Sequence, residues 1–329
     1  FNRGNFAGVS EFIVNTTTDT YDAMEITEHV PSYIPRDINL MVGSPSEDYI
    51  VVANKGSKEL YLYSFFWDNN TKILSSWSKF TFNDAIHGID FIDSRLQLVT
   101  VNEEQSQTNL SYIPLEAGLL DSGGYNVLLD ERVEVRRQAN GNVLESKYSG
   151  SWSGWPADIP YGTSDASDYR FVTEDGAVHT VSYNATGFYV DDSAASSSAV
   201  YGYLGRLYNM KYKFSTQLFK ASTGKGSSPT ASSALTVRNG SVFFDDTHGF
   251  TVKVTPEGRS EASNEFLASS RPDAETSTGV SFAEGFYRFP VHSKAKHANI
   301  LIENNTPFDS KFSSAEFESF VHPRSNRYG

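Results

Sequence analysis

Side chains in this chain alternate between apolar and polar with a period of two, and that alternation restricts the fold more than anything else in the sequence. In Leu60-Tyr-Leu-Tyr-Ser-Phe-Phe-Trp67, residues Tyr61, Tyr63, Phe65 and Trp67 share one face of an extended chain. The 3.6-residue rhythm of a helix is weak throughout, which argues against long helices. With 23 Phe, 18 Tyr and 4 Trp, the chain is rich in side chains that suit a pleated, half-buried surface. Its 24 Gly, together with many Ser, Asn and Asp, supply turns between short strands. The predicted class is all-β.

Strands recur about every dozen residues along the first third. Asp48 to Ala53 is followed by the turn Asn54-Lys-Gly-Ser57, and Leu60–Trp67 by Asp68-Asn-Asn70. Ile73 to Phe82 returns, and Ile86–Ile92 and Arg95–Val101 flank Asp93-Ser94. These are antiparallel meanders, of the kind that form propeller blades or sandwiches. Arg170–Val172 and Ala177–Tyr183 make a hairpin around Asp175-Gly176. Gly150 to Pro156 reads as a rigid aromatic loop, which makes Trp152 and Trp155 candidate contact residues. The acidic, small-residue stretch Asp191 to Ser198 suggests a boundary, giving two β domains at residues 1–195 and 196–329. In the second, Tyr208, Met210, Tyr212 and Phe214 alternate as one buried strand face. Ala221 to Ala234 reads as a loop. Asn239-Gly240, between Leu235–Val237 and Val242–Phe244, predicts a hairpin turn. Arg288–Val291, Ala298–Ile302 and Phe312–Val321 complete the strands.

The chemistry of a catalyst is sparse. Cysteine is absent, so disulfides, cysteine–zinc sites and thiol nucleophiles are excluded. Gly150-Ser-Trp-Ser-Gly154 puts serine at the second and fourth positions, not the third that a nucleophile elbow needs. No Gly-rich phosphate loop and no His-Glu-x-x-His helix occur. His292 and His297 flank a basic loop and read as solvated. The pairs Glu103-Glu104, Asp191-Asp192 and Asp245-Asp246, and Asp90 and Asp93 near His87, suit turns. Adjacent strand residues point to opposite faces, whereas a glycosidase needs two carboxylates about 5–10 Å apart across a cleft. The strip Tyr61/Tyr63/Phe65/Trp67 reads as sheet packing, with a glycan-stacking platform as the competing reading. No site for a cofactor or metal is predicted.

The formal net charge is −13. Such a chain does not wrap nucleic acid, since that affinity comes from Lys and Arg neutralising phosphates. No apolar run reaches the roughly 18 residues of a membrane helix. The start, Phe1-Asn2-Arg3, lacks the features of a signal peptide and reads as the cut end of a longer chain.

Three stretches resemble the nozzle proteins (tail tubular protein B) of T7-like short-tailed bacteriophages. They are Leu60–Trp67 with Ser75-Ser-Trp-Ser-Lys-Phe-Thr-Phe82; Gly205 to Phe219, with its Gly-x-x-Tyr-x-Met-x-Tyr-x-Phe-Ser pattern; and Arg288–Val291 through Ile300–Ile302 and Thr306-Pro307 to Phe317–Phe320, with the basic tail Arg324 to Tyr328. Tryptophans of the family near Phe80 and Phe317 are Phe here, and the chain matches only the C-terminal part of a nozzle protein. The resemblance implies a non-enzymatic virion protein of the phage tail, built of propeller-like and then barrel- or sandwich-like β domains. It implies a homohexameric ring below the adaptor (tail tubular protein A), with tail fibres docked nearby. Viral DNA would pass through without specific binding, and the distal end would close before infection. A tail hydrolase acting on glycan and a glycan-binding virion module are the alternatives.

Overall fold

In the computed structural model, residues 2–15, 20–44, 46–68, 71–102, 107–115, 124–139, 142–148, 151–156, 166–184, 187–191, 199–223, 226–229, 233–272, 275–277 and 279–323 are described. Among these residues, apart from two 3₁₀ turns, the regular elements are strands, and every pairing between strands is antiparallel. The all-β expectation is met, because alternation leaves each strand one apolar face to bury.

The chain divides into two units, Phe1–Gly118 and Leu119–Gly329. In the first, Leu40–Gly43, Tyr49–Ala53, Glu59–Asp68 and Thr71–Thr81 form a four-stranded meander. Ala85–Ile92, Arg95–Asn102 and Gln107–Pro114 form a three-stranded one. Val51, Ala53, Leu60, Leu62, Ile86, Leu96 and Leu98 make their common core. Tyr61 lies on the other face of its strand, in a second cluster with Ala7, Ile34 and Val52. Tyr63, also buried there, meets the Trp77 ring at 4.9 Å. Trp77 in turn donates its indole N–H to the Ile26 carbonyl at 3.0 Å. Burial on both faces explains the unbroken apolar run Leu60–Tyr63, whereas Phe66 farther along the strand is 50% exposed.

The second unit begins with one sheet that nearly closes on itself. Its order is Ser151–Pro156, Leu144–Tyr148, Asp130–Arg137, Val200–Arg206, Tyr169–Thr173, Val178–Asn184 and Gly187–Val190. The last strand returns to the second. Val143 bridges Tyr189, and the Val190 N–H donates to the Asn142 carbonyl at 2.9 Å. Inside lie Val135, Leu144, Tyr169, Phe171, Val181, Phe188, Val190 and Leu204. Full burial of each large apolar side chain contributes about 1.5–3 kcal/mol. A two-sheet sandwich follows. One sheet is Met210–Lys213, Ala298–Asn304, Gly249–Pro256 and Ala262–Leu267; the other is Glu275–Ser277, Val280–Lys294, Ser233–Thr247 and Lys311–Pro323. Phe244, Phe250 and Phe266 stack at its centre with ring centroids 4.5–5.5 Å apart.

Barrel and sandwich share a cluster of Tyr125, Val127, Leu129, Val172, Val280, Phe282 and Phe308. The Leu128 N–H donates to the Pro307 carbonyl at 2.7 Å, and the Tyr125 hydroxyl to the Glu174 carbonyl at 2.9 Å. Gly176 and Gly279 let the two bodies approach. A Cβ on Gly176 would lie 2.0 Å from Val280 Cγ2, and one on Gly279 would lie 2.2 Å from the Asp175 carbonyl oxygen.

Several sequence-based expectations are corrected. The division falls at Gly118, not near residue 195. The Val200–Arg206 strand hydrogen-bonds between Asp130–Arg137 and Tyr169–Thr173, so a cut there would split one sheet. The closed sheet therefore lies at residues 130–206, ahead of the sandwich. Asn239-Gly240 is not a turn, because Ser233–Thr247 runs straight through it. Gly240 is there for space, since a Cβ would sit 2.3 Å from the Phe289 ring. Gly150–Pro156 is not a loop: Ser151–Pro156 is a strand paired with Leu144–Tyr148, although Gly150 and the side chains of Trp152 and Trp155 lie outside the described residues. In residues 221–234, Lys220–Thr223 and Gly226–Pro229 pair as a hairpin. Tyr208 and Tyr212 are exposed, because Met210–Lys213 is a short edge strand on Ala298–Asn304 and not part of a long buried one. Glu103-Glu104, Asp192 and the tail 324–328 lie outside the described residues.

Gly202 crosses the middle of the barrel wall with no room for a side chain: a Cβ would lie 2.1 Å from the Val172 carbonyl oxygen and 2.8 Å from Thr173 Cα. Backbone cannot yield as a side-chain tip can. Gly202→Ala is expected to lower unfolding free energy by about 1–3 kcal/mol in urea melts. Gly43→Ala, with its nearest neighbour at 4.0 Å, is expected to stay within about 0.5 kcal/mol.

Candidate functional site

Polar chemistry concentrates at the barrel rim facing the sandwich. The run Asp130-Glu131-Arg132 opens a barrel strand at a bulge, where pairing with Val200–Arg206 skips from Asp130 to Val133 and Glu131 takes a φ of 54°. The bulge aims neighbouring carboxylates differently from the strict alternation of a strand. Asp130 Oδ1 accepts the Glu131 N–H at 3.0 Å, and the Tyr169 hydroxyl donates to Glu131 Oε2. Arg206 reaches Asp168 at 3.2 Å, and Asn126 donates to Asp309 at 2.9 Å. Burial, then the nearby Glu131 charge, pushes the Asp130 carboxyl up from its ordinary value. Tyr208 is 47% exposed as a residue, but desolvation at its hydroxyl end, with Asp130 and Asp309 adding to it, pushes the phenol up to about 12. These groups serve one another, holding the bulge and the barrel–sandwich junction. The sequence reading missed this cluster, and three consecutive charges opening a strand were the available signal.

The acids named from sequence are not brought together. Asp245 and Asp246 sit at a bulge of Ser233–Thr247, and Asp246 pairs with Lys311 at 2.5 Å. Asp191 accepts the Ser182 hydroxyl at 2.5 Å. Asp93 occupies its turn at φ 54°, and Asp90 accepts the Phe91 N–H at 2.9 Å. His297 pairs with Glu257. Among the described residues, no group of three or more His, Cys, Asp or Glu is arranged to hold a metal ion. An open depression of about 440 Å³ on the barrel is lined by Ser167, Arg170, Thr180, Ser182 and Asp191. Arg170 there donates to the Ser167 and Tyr169 carbonyls at 2.6 Å. Tyr61 and Tyr63 are buried at 3% and 1% exposure, which removes them from any glycan platform.

Cations are widely neutralised. Lys72 pairs with Glu11, and Lys79 with Glu59 at 2.8 Å. Arg136 pairs with Glu145 at 2.6 Å, and Arg238 and Arg288 share Glu318 at 3.1 and 2.5 Å. Lys253 meets Glu303 at 2.5 Å and holds its carboxyl below the usual range. With 27 Lys and Arg against 40 Asp and Glu, the surplus is acidic. Exposed apolar side chains are the other surface feature, including Phe12, Tyr21, Phe66, Ile73, Leu110 and Tyr112. The described residues thus form an all-β body in which many cations pair with carboxylates, in a chain with an acidic surplus.

Comparison with known proteins decides the family. The family described as bacteriophage nozzle protein matches residues 1–328. This chain belongs to that family. The chain is also 24% identical over 322 residues to tail tubular protein gp12 of Escherichia phage T7, covering 93% of this chain and 40% of the relative. It thus spans about two fifths of that relative's length. As a nozzle protein it is a structural component of a phage tail, located in the virion.

One titratable group bears on stability at the junction. His248 Nδ1 is 3.0 Å from the Ser281 carbonyl, so it carries the proton and donates. Its ring meets Phe308 at 4.7 Å and Phe282 at 6.1 Å. Burial holds its pKa below the ordinary 6.5, and the Ser281 carbonyl opposes this only partly. A depressed histidine pKa means that the unfolded chain binds the proton first, so stability is lost as pH falls below about 6.5. His248→Gln is expected to lose less stability than the unaltered chain between about pH 7.5 and about pH 5, measured by denaturant midpoints.

Proposed function

We propose that this nozzle protein is a wall subunit of a closed ring of six copies. The ring continues the DNA channel of the tail and shuts its distal end until infection. It joins the adaptor, tail tubular protein A, on one side and supports tail fibre proteins at its periphery. The subunit is passive: it positions, encloses and releases, with no turnover.

The observation that carries this reading is the acidic surplus on a closed β framework. The net charge is −13, and many of the described Lys and Arg side chains are engaged by carboxylates. A phosphate backbone gains affinity when protein cations neutralise it and its condensed counterions are released into solution, and cations already committed to carboxylates contribute less to that gain. DNA therefore slides past it without adhering. Barrel and sandwich share one hydrophobic cluster and are tied by backbone hydrogen bonds, which suits a wall under the pressure of a moving genome. Head-to-tail contacts between identical blocks close into a ring. Trp152 and Trp155, on the strand that extends the barrel sheet, are candidate residues for contacts with neighbours.

Light scattering of the purified protein is expected to give six times the 36.5 kDa chain mass. A stable monomer at all concentrations would contradict the ring. In fluorescence anisotropy at low salt, duplex DNA is expected to show no binding. Retention that weakens steeply with salt would indicate an exposed basic surface and overturn the passive-channel reading.

A further inference from the structure

We infer that the outer edge of the Gln107–Pro114 strand is the seam at which a neighbouring copy of this chain adds a β-strand; this rests on the ring reading above. The strand pairs residue for residue with Arg95–Asn102, from Arg95 opposite Pro114 to Asn102 opposite Gln107, without a bulge. Among the described residues no strand pairs with its other side. Every second residue therefore turns its N–H and C=O outward along an eight-residue row.

Free edges of this length carry defences, and among the described residues the other edge strands of eight residues or more have them. Thr71–Thr81 has Lys72 and Lys79 and a bulge. Ala85–Ile92 has Asp90 and a bulge. Lys311–Pro323 has Lys311, Glu316 and Glu318, with irregular register. Gln107-Thr-Asn-Leu-Ser-Tyr-Ile-Pro114 has no charge and no bulge, and its proline stands at the end. An undefended edge is what strand addition requires.

The face beside this edge is equally open. Ile113 turns inward against the first unit's core. On the other face Leu110 is 73% and Tyr112 55% exposed. Leu110 is in register with Val99, and Ile92, 59% exposed, continues the same face opposite Arg95. Arg95 lies over the Tyr112 ring at 5.0 Å. The occupant follows from charge. Copies carrying −13 each repel over most of their surfaces, and an uncharged edge is where two of them meet at least electrostatic cost. Water satisfies the outward backbone groups in the free chain, and a neighbour's strand does so in the assembly.

The test compares the unaltered chain with Leu110→Lys/Tyr112→Lys, both at exposed positions, with the fold of each checked by its thermal midpoint. Light scattering across a dilution series gives the concentration at half assembly, and hydrogen–deuterium exchange gives the protection of the 107–114 amides. The inference expects those amides to exchange more slowly in the assembly than in the diluted monomer. It also expects the double variant to need roughly tenfold more protein, or more, to assemble. It is overturned if the variant assembles at the same concentration, or if the amides exchange equally in both states. If the unaltered chain never assembles, the ring reading falls and takes this inference with it. A ring indifferent to the variant removes this inference alone.

Discussion

The return of the Gly187–Val190 strand to Asn142 and Val143 is the contact on which the second unit depends. An open seven-stranded sheet would leave two edges and an apolar face, both costly in water. Near-closure reduces that exposure and encloses Phe171, Phe188, Leu144 and Leu204, each essentially fully buried. It also fixes the rim from which the Tyr125 cluster reaches the sandwich. The tight approach at Gly176 and Gly279 is possible because neither residue carries a side chain at the point where the two bodies meet.

Much of this was legible in the sequence, and the failures have particular causes. Alternation marked the first unit's consecutive strands from Tyr49–Ala53 to Arg95–Asn102 to within one or two residues, because each packs a face on a shared core, but it did not mark Ser10–Asn15, Thr20–Glu25, Leu40–Gly43 or Gln107–Pro114. It also marked the hairpin around Asp175-Gly176, where Gly176 takes a φ of 83°. Asn239-Gly240 misled because glycine serves two purposes: there it makes room for the Phe289 ring, not for a turn. The boundary at residues 191–198 misled because a small, polar stretch can connect strands of one sheet as well as separate two domains. Tyr208 and Tyr212 looked like a buried face because periodicity records alternation without saying which side is covered. Barrel closure pairs residue 143 with residue 189, and no local pattern announces a contact at that separation.

Legibility was lower for the functional surfaces. Absence of cysteine and the wrong serine spacing in Gly150–Gly154 could be read directly, and they removed whole classes of chemistry. Glu131 could not be singled out, since its role comes from a left-handed bulge that turns it toward Tyr169. The partnering of cations was also hidden, because Arg238, Arg288 and Glu318 meet only through sheet register. That partnering converts a compositional charge into a property of the surface. The aromatic strip that could have read as a sugar platform proved half internal, with Tyr63 beneath Trp77 and fully buried.

Membership in the nozzle family, the all-β body and the acidic surplus are the ground on which the proposed channel-wall role stands. The most direct examination of that account is a cryo-electron microscopy reconstruction of the assembled protein, resolved well enough to identify the side chains facing the central opening. The account requires a closed ring whose channel is lined mainly by aspartate, glutamate and uncharged polar residues. A channel lined by lysine and arginine, or particles with no central opening, would contradict it.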